Sequence, residues 1–230
     1  MKKLTLKAAR LVGTVQKGNA KIHGSTFSTD PLQCNVGAKL VNIENSTCSN
    51  CYALKLRKVY PSAAQSWSDN LSKFRQFVED DNVIEWCESI AHQINSISAL
   101  KTRNKQQGAN FHRWFTAGDI DSLEMLRAII KVCELTPTIK HWLPTREVGI
   151  LREYANVLGM LPLNLTIRVS DTKVDNGKSI TLNMDVVYSS VHSEKVILGK
   201  ACPAIEQGGN CNDCSMCWDN TVDRISYKKH

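Results

Sequence analysis

The chain has 230 residues, of which 42% are hydrophobic and 22% charged, with a net charge of +7. At roughly 150 residues per domain this is one or two domains, and those fractions exclude a disordered, collagen-like or coiled-coil chain. Nine residues are cysteine, although a chain of this size can bury a full core without disulfides.

The first ten residues carry the positive charge of a signal peptide, but Lys7, Arg10, Gln16 and Lys17 break its apolar stretch. No window approaches the ~20 apolar residues of a membrane span. The expectation is a cytoplasmic protein that makes no membrane contact. In that setting thiols stay reduced, and clustered cysteines bind metal or do redox chemistry. Lys2, Lys3, Lys7, Arg10, Lys17 and Lys21 all precede the first acid, Asp30. Such a run suits nucleic acid or phosphate, or forms a solvated basic face, and no aromatic accompanies it before Phe27.

Cys34 and the pair Cys48-Ser-Asn-Cys51 come next. A C-x2-C pair suits a redox couple, half a zinc site or part of a cluster site. The residues from Cys51 to Lys58 read as the start of a helix, which places thiols at its positive end. Ser66 to Phe77 reads as a second helix. Val83, Ile84, Cys87, Ile90, Ala91 and Ile94 form the apolar stripe of a third.

Phe111 to Phe115 is aromatic and strand-like, and leaves through a turn at Thr116–Asp119. Asp121-Ser-Leu-Glu124 then fits a capping box, with Asp121 as N-cap. The helix after it turns Leu123, Leu126, Ile130 and Cys133 to one face. Thr138–Leu143 repeats the strand, with Pro144-Thr-Arg146 as exit loop. Its helix carries Val148, Leu151, Ala155 and Leu158 and stops at Gly159. Leu163–Val169 is a third strand, leaving at Ser170-Asp171. Strand starts about 25 to 27 residues apart describe βαβαβ, hence parallel strands with crossover helices. Ser179–Tyr188 and Lys195–Leu198 read as further strands, and the residues from Cys202 onward show no period. The expected fold is α/β, a parallel-stranded partial (β/α) barrel, because a full eight-unit barrel takes ~250 residues. An open doubly wound sheet is the alternative. One domain covers 1–230, with the barrel over 1–200 and a cysteine-rich, cluster-binding extension over 201–230.

Cys87 and Cys133 lie on apolar helix faces and read as core thiols. The strongest signal is Cys202…Cys211-x-x-Cys214-x-x-Cys217. Three thiols at C-x2-C-x2-C spacing can each take a different iron of a 4Fe-4S cluster, with a fourth from a neighbouring loop. Zinc, the competing reading, more often takes two separated C-x2-C pairs. Trp218 is placed to shield such a cluster. Cys34, Cys48 and Cys51 would hold a second cluster or lend ligands to the first. In parallel βα folds chemistry gathers at strand exits, which makes Asp119, Arg146 and Ser170 the substrate-side candidates. A cluster at Cys202 would then face the same mouth. No Walker loop, G-x-G-x-x-G or G-x-S-x-G is present, which removes the common nucleotide and hydrolase readings.

The series Cys34…Ser46-Thr-Cys48-Ser-Asn-Cys51-Tyr-Ala53, Ala117-Gly-Asp119, Pro144-Thr-Arg146, Ser170-Asp171 and Cys202-Pro…Cys211-x-x-Cys214-x-x-Cys217-Trp218 resembles the phage gene-product-88 family. The resemblance runs from about Asn19 to Trp218. It implies a relation to radical S-adenosylmethionine proteins, a full or partial TIM barrel and a host-cytoplasmic setting. Those enzymes carry C-x3-C-x2-C, whereas 13 residues lie between Cys34 and Cys48. The resemblance therefore implies a barrel with an iron–sulfur cluster and leaves S-adenosylmethionine open. Three functions follow as expectations: a redox-active iron–sulfur protein with radical chemistry at the strand exits, an electron-transfer protein, or a zinc-stabilised nucleic-acid-binding module.

Overall fold

The computed structural model describes residues 4–19, 21–157, 160–176, 180–196 and 198–229. Thr5 caps α1 (Leu6–Val12), accepting the Ala8 amide on its hydroxyl. Strands β1 (Gln16–Lys17) and β2 (Ser25–Phe27) follow, then α2 (Asn35–Leu40), α3 (Tyr52–Val59), α4 (Pro61–Glu79) and α5 (Val83–Arg103). Alternation then sets in, with β3 (Phe111–Trp114), α6 (Leu123–Leu135), β4 (Lys140–Thr145), α7 (Val148–Val157) and β5 (Leu165–Val174). The chain continues through β6 (Val187–His192), β7 (Lys200–Ala201) and β8 (Arg224–Lys228).

All eight strands join one sheet in the order β1-β2-β3-β4-β5-β6-β8-β7. Only β1 runs antiparallel to its neighbour. From β2 to β6 the order follows the chain without the reversal that a doubly wound sheet needs. Crossovers of one hand then place successive helices on one face, and the core forms there. Phe27, Trp114, Leu143, Leu165, Ile167 and Val169 meet Phe74, Trp86, Ile90 and Ile94 of α4 and α5 and Leu126 and Ile129 of α6. Phe27 stands edge-on to Trp86 and Trp114, at centroid distances of 5.6 and 5.7 Å, a favoured aromatic geometry. Cys87 and Cys133 lie in this core, as their helical spacing predicts.

Several local expectations shift. The N-cap of α6 is Ser122, whose hydroxyl accepts the Met125 amide. The Asp121 carboxylate is instead held by Arg75, at 2.6 and 3.0 Å, so it is not free to cap. Pro144 and Thr145 belong to β4, and Ser170 and Asp171 to β5, which runs on to Val174. Residues 180–186 form no strand, and Leu198 gives its carbonyl to the Ser190 hydroxyl rather than to a ladder. The proposed stop at Leu158-Gly159 and the residues Ser179 and Ile197 lie outside the described residues. The segment from Cys202 onward holds a strand after all, because β8 inserts between β6 and β7. No helix among the described residues is long and apolar enough to cross a membrane.

Two buried histidines give the fold a pH dependence. Trp114 donates its indole N–H to His141 Nδ1 at 3.2 Å, so that nitrogen carries no proton, and Nε2 meets Thr136 Oγ1 at 2.8 Å. Protonation would set two N–H groups against each other. Burial pushes His141 down to about 3 and, with the charge of His141, holds His112 well below the usual range. The unfolded chain protonates both near pH 6.5, so stability is full above that pH and falls as pH drops toward the folded values. The slope is about 1.4 kcal/mol per pH unit for each proton taken up. Urea midpoints should therefore decrease between about pH 6.5 and 5, before carboxylates titrate. A flat midpoint over that interval would contradict the neutral pair.

Candidate metal centre

The chain leaves β2 into Asp30, which accepts the Leu32 amide at 3.0 Å. Arg57 of α3 clamps the same carboxylate at 3.0 and 3.1 Å, and Ser68 of α4 reaches it at 2.5 Å. Burial alone would raise the acid, but these donors hold Asp30 below its ordinary value. The pair thus fixes α3 and α4 over the β2 exit. Cys34 and Cys51 occupy the N-caps of α2 and α3, and neither thiol caps its helix. The Cys51 amide donates to the Cys48 carbonyl at 3.1 Å, closing the C-x2-C turn. Ser46 bridges to Lys173, the Thr47 amide reaches the Thr172 carbonyl at 3.0 Å, and Thr47 Oγ1 donates to the Asp171 carbonyl at 2.9 Å. This loop therefore spans from the exit of β2 to the far end of β5.

Gly37 opens the space beside the thiols. A Cβ there would lie 2.9 Å from Cys34 Cβ, 3.7 Å from Cys34 Sγ and 3.9 Å from Cys48 Sγ. At the exit of β3, Gly118 adopts φ +84°, and a Cβ would fall 2.1 Å from Thr29 Oγ1. Only glycine fits both that conformation and that approach. The next residue, Asp119, accepts from Thr145 Oγ1 at 2.6 Å and from the amides of Ile120 and Arg146 at 2.8 and 2.9 Å. Arg146 Nε donates to Thr47 Oγ1 at 3.0 Å. Glu147, itself buried, accepts the Val36 amide in the first turn of α2 at 2.9 Å. Burial raises both acids above their usual range, partly offset by these donors.

Cys34, Cys48 and Cys51 sit close enough for their charges to act on one another. Burial is the main force pushing the Cys34 and Cys48 thiols up, and Asp119 adds to it; at Cys48, Arg146 opposes it. Free, these two groups stay protonated at neutral pH. A coordinated cation removes such protons outright. Ser170 accepts from the Ser189 hydroxyl at 3.1 Å.

The other four cysteines meet on the sheet face opposite the helices. The Cys202 amide donates to Ser226 of β8 at 2.8 Å, and the Cys211 amide to the Lys21 carbonyl at 3.3 Å. Cys214 donates its amide to the Cys211 carbonyl at 2.8 Å, a second closed C-x2-C turn. Cys217 Sγ lies 3.2 Å from the Tyr227 hydroxyl. Cys202 feels the charge of Cys214, Cys211 those of Cys202 and Cys214, and Cys217 that of Cys202. Burial raises all three, Cys217 to about 12. Trp218 is buried beside them, donating to the His112 carbonyl at 2.8 Å and meeting Trp142 edge-on at 5.2 Å.

This face is cationic. Arg113 lies over the Trp142 ring at 4.3 Å, and its charge reaches Cys211 and Cys217. Arg168 is fully buried and donates to four carbonyls, those of Tyr188, Val222, Met216 and Asp219, at 2.8 to 3.2 Å. Arg113 Nε, Arg168 Nε and Trp142 Nε1 are buried donors with no acceptor among the described residues. The register Arg113↔Trp142 and Pro144↔Arg168 puts all three on this one face.

The two thiol groups are thus placed differently from the expectation of one shared mouth. Asp119 and Arg146 act on Cys34 and Cys48, whereas Cys202 joins the group against Arg113 and Arg168. Among the described residues, no group of three or more His, Cys, Asp and Glu side chains is arranged to hold a single metal ion. Arg113, Arg168, Tyr227, Thr47, Glu147 and Gly37 escape the sequence reading. Arg168 left a trace, as a lone charge between Ile167 and Val169 of a buried strand.

The fold and these residues define a mostly parallel α/β protein with two separate thiol groups, one at the strand exits and one against the face opposite the helices. The chain belongs to the gene product 88 family, whose model matches residues 6–220. No curated protein and no solved structure matches it.

Proposed function

We propose that this is a redox-active iron–sulfur protein in which Cys202, Cys211, Cys214 and Cys217 hold a 4Fe-4S cluster. The observation that carries this reading is the set of buried, unaccepted donor atoms on Arg113, Arg168 and Trp142, the two arginines near enough for their charge to reach Cys217 and, for Arg113, Cys211. Buried cations without a counter-charge are costly, and a cluster held by four thiolates is an anion rich in sulfur acceptors. The residues present therefore fit the group. In the same reading Cys34, Cys48 and Cys51, separate from those four, hold a second cluster. The Cys34 and Cys51 thiols are unused by the helices they cap, and Gly37 leaves room beside Cys34 and Cys48. Bound there, such a group supplies one-electron transfer and, with three thiolates, one iron free for a ligand.

Around that position Arg146 supplies the cation, while Asp119 and Glu147 hold the β4 exit and the start of α2. Ser170 stands farther along, on β5. S-adenosylmethionine enters this proposal only as one candidate occupant of the free iron. We read the sheet as a partial (β/α) barrel, its strands in chain order with helices on one face, within a single domain in the reducing host cytoplasm. Electron transfer without a substrate, and a zinc-stabilised nucleic-acid module using the exposed Lys7 and Arg10, are the competing functions.

Metal and acid-labile sulfide analysis of anaerobically purified protein separates the zinc module from the two iron–sulfur readings. The expected result is a brown protein with about four irons and four sulfides per chain, or about twice that with two clusters. Stoichiometric zinc in a colourless, sulfide-free protein would overturn the reading.

A further inference from the structure

We propose that Tyr227, together with Arg113, tunes the reduction potential of the C-terminal cluster, raising it through a hydrogen bond to Cys217 and a half-buried positive charge. The inference rests on the iron–sulfur reading above. Cys217 Sγ and Tyr227 Oη are 3.2 Å apart, and each can donate while the thiol carries its proton. A metal-bound thiolate has none, so the phenol becomes the donor. Tyr227 is placed for this by β8, in register with Val191 of β6, and by the backbone bond from Cys202 to the adjacent Ser226 at 2.8 Å. Cys202 and Cys217 are thereby anchored on either side of the same strand residues.

Reduction adds one electron and therefore one negative charge to the cluster, with no bond broken; the electron comes from an external one-electron donor, dithionite in the experiment below. Any donor or cation fixed beside the sulfurs favours the reduced state. Hydrogen bonds to the sulfurs and local charge are established levers on cluster potential. Tyr227 supplies the first and Arg113 the second, its charge reaching both Cys211 and Cys217. Arg168 adds charge as well, but its four carbonyl bonds make it a poor probe. Arg113 is the better one because Trp142 holds its guanidinium by stacking.

The test is a dithionite titration of the full chain followed by electron paramagnetic resonance. The signal absent from Cys214→Ala is the one to follow. Tyr227→Phe should keep the iron and sulfide of the parent protein. Its reduced-to-oxidised ratio at a fixed potential should drop about tenfold, equal to about 59 mV for a one-electron couple. Arg113→Gln should shift it the same way, and Arg113→Lys, which keeps the charge, should recover most of the loss. Midpoints unchanged in both Tyr227→Phe and Arg113→Gln, with iron content intact, would overturn the inference. Should Tyr227→Phe lose its iron, the Arg113 pair alone decides. A parent protein without iron and sulfide is a separate outcome, and it removes the iron–sulfur reading itself.

Discussion

Cys214→Ala should remove about four irons and four sulfides per chain from anaerobically purified protein, the content of one 4Fe-4S cluster. Cys214 closes its C-x2-C turn onto Cys211 and feels no competing structural demand from the core. Its loss leaves Cys202, Cys211 and Cys217 with one iron unligated. If Cys34, Cys48 and Cys51 carry their own cluster, about half the iron remains. If they carry none, no iron remains. Cys133→Ala is the matching control, since Cys133 is fully buried among the helix-facing core residues. It should lower stability by an amount typical of a small core cavity and leave metal content unchanged. Iron and sulfide unaffected by Cys214→Ala would remove this residue from the ligand set.

Arg168→Met carries the largest expected effect on stability, several kcal/mol, because it removes four hydrogen bonds from a charged donor, each worth about 1.5–3 kcal/mol. Its guanidinium donates to the carbonyls of Met216, Asp219 and Val222, so one side chain of β5 holds the whole turn from Met216 to Val222 in place. Methionine fills similar volume but donates nothing: the Met216 and Asp219 carbonyls keep the amides of Asp219 and Val222, whereas the buried Val222 carbonyl loses its arginine donor, at a cost of about 1–3 kcal/mol. The damage should be local. Trp218, docked on Phe111 and Trp142, should become exposed while Trp86 and Trp114 stay in the core. A red-shifted emission component at low urea, preceding the main transition, is the measurement that reads it. A variant that unfolds in one step at the parent midpoint would show that Arg168 does not fasten this turn.

The repeating centre of the fold was legible in the sequence because β3, α6 and α7 each bury one face, which writes a period of two or of 3.6 into the residues, while β4 and β5, buried on both faces, stand out as short runs between turns. Where burial is two-sided or the element is short, the period disappears. Strand β2 has three residues, all buried, and offers no alternation. Strand β8 reads Arg-Ile-Ser-Tyr-Lys, with Arg224 and Ser226 as buried as Ile225. Arg224 faces Asp171 at 3.3 Å and lies over the Tyr188 ring at 4.9 Å, so a partner far off in sequence makes a charged residue behave as core. The thiol spacings were legible as chemistry, but their locations were not. The loop from Asp30 to Cys51 is fixed by Thr47 on β5, a contact across more than a hundred residues that no local pattern encodes.

The position of β8 also sets a timetable for the growing chain. Synthesis runs from the N-terminus, and folding begins before the chain is finished. The thiols at the strand exits need only the chain through β5, where Thr47 finds Asp171 and Thr172. Strand β7, by contrast, pairs with β8 alone, and Cys202 waits for Ser226 and Cys217 for Tyr227. Until the ribosome has released those residues, β6 presents an open edge and the four C-terminal thiols are unassembled. The exit-side thiols can therefore take up their places first, and the four later ones only once β8 has joined the sheet.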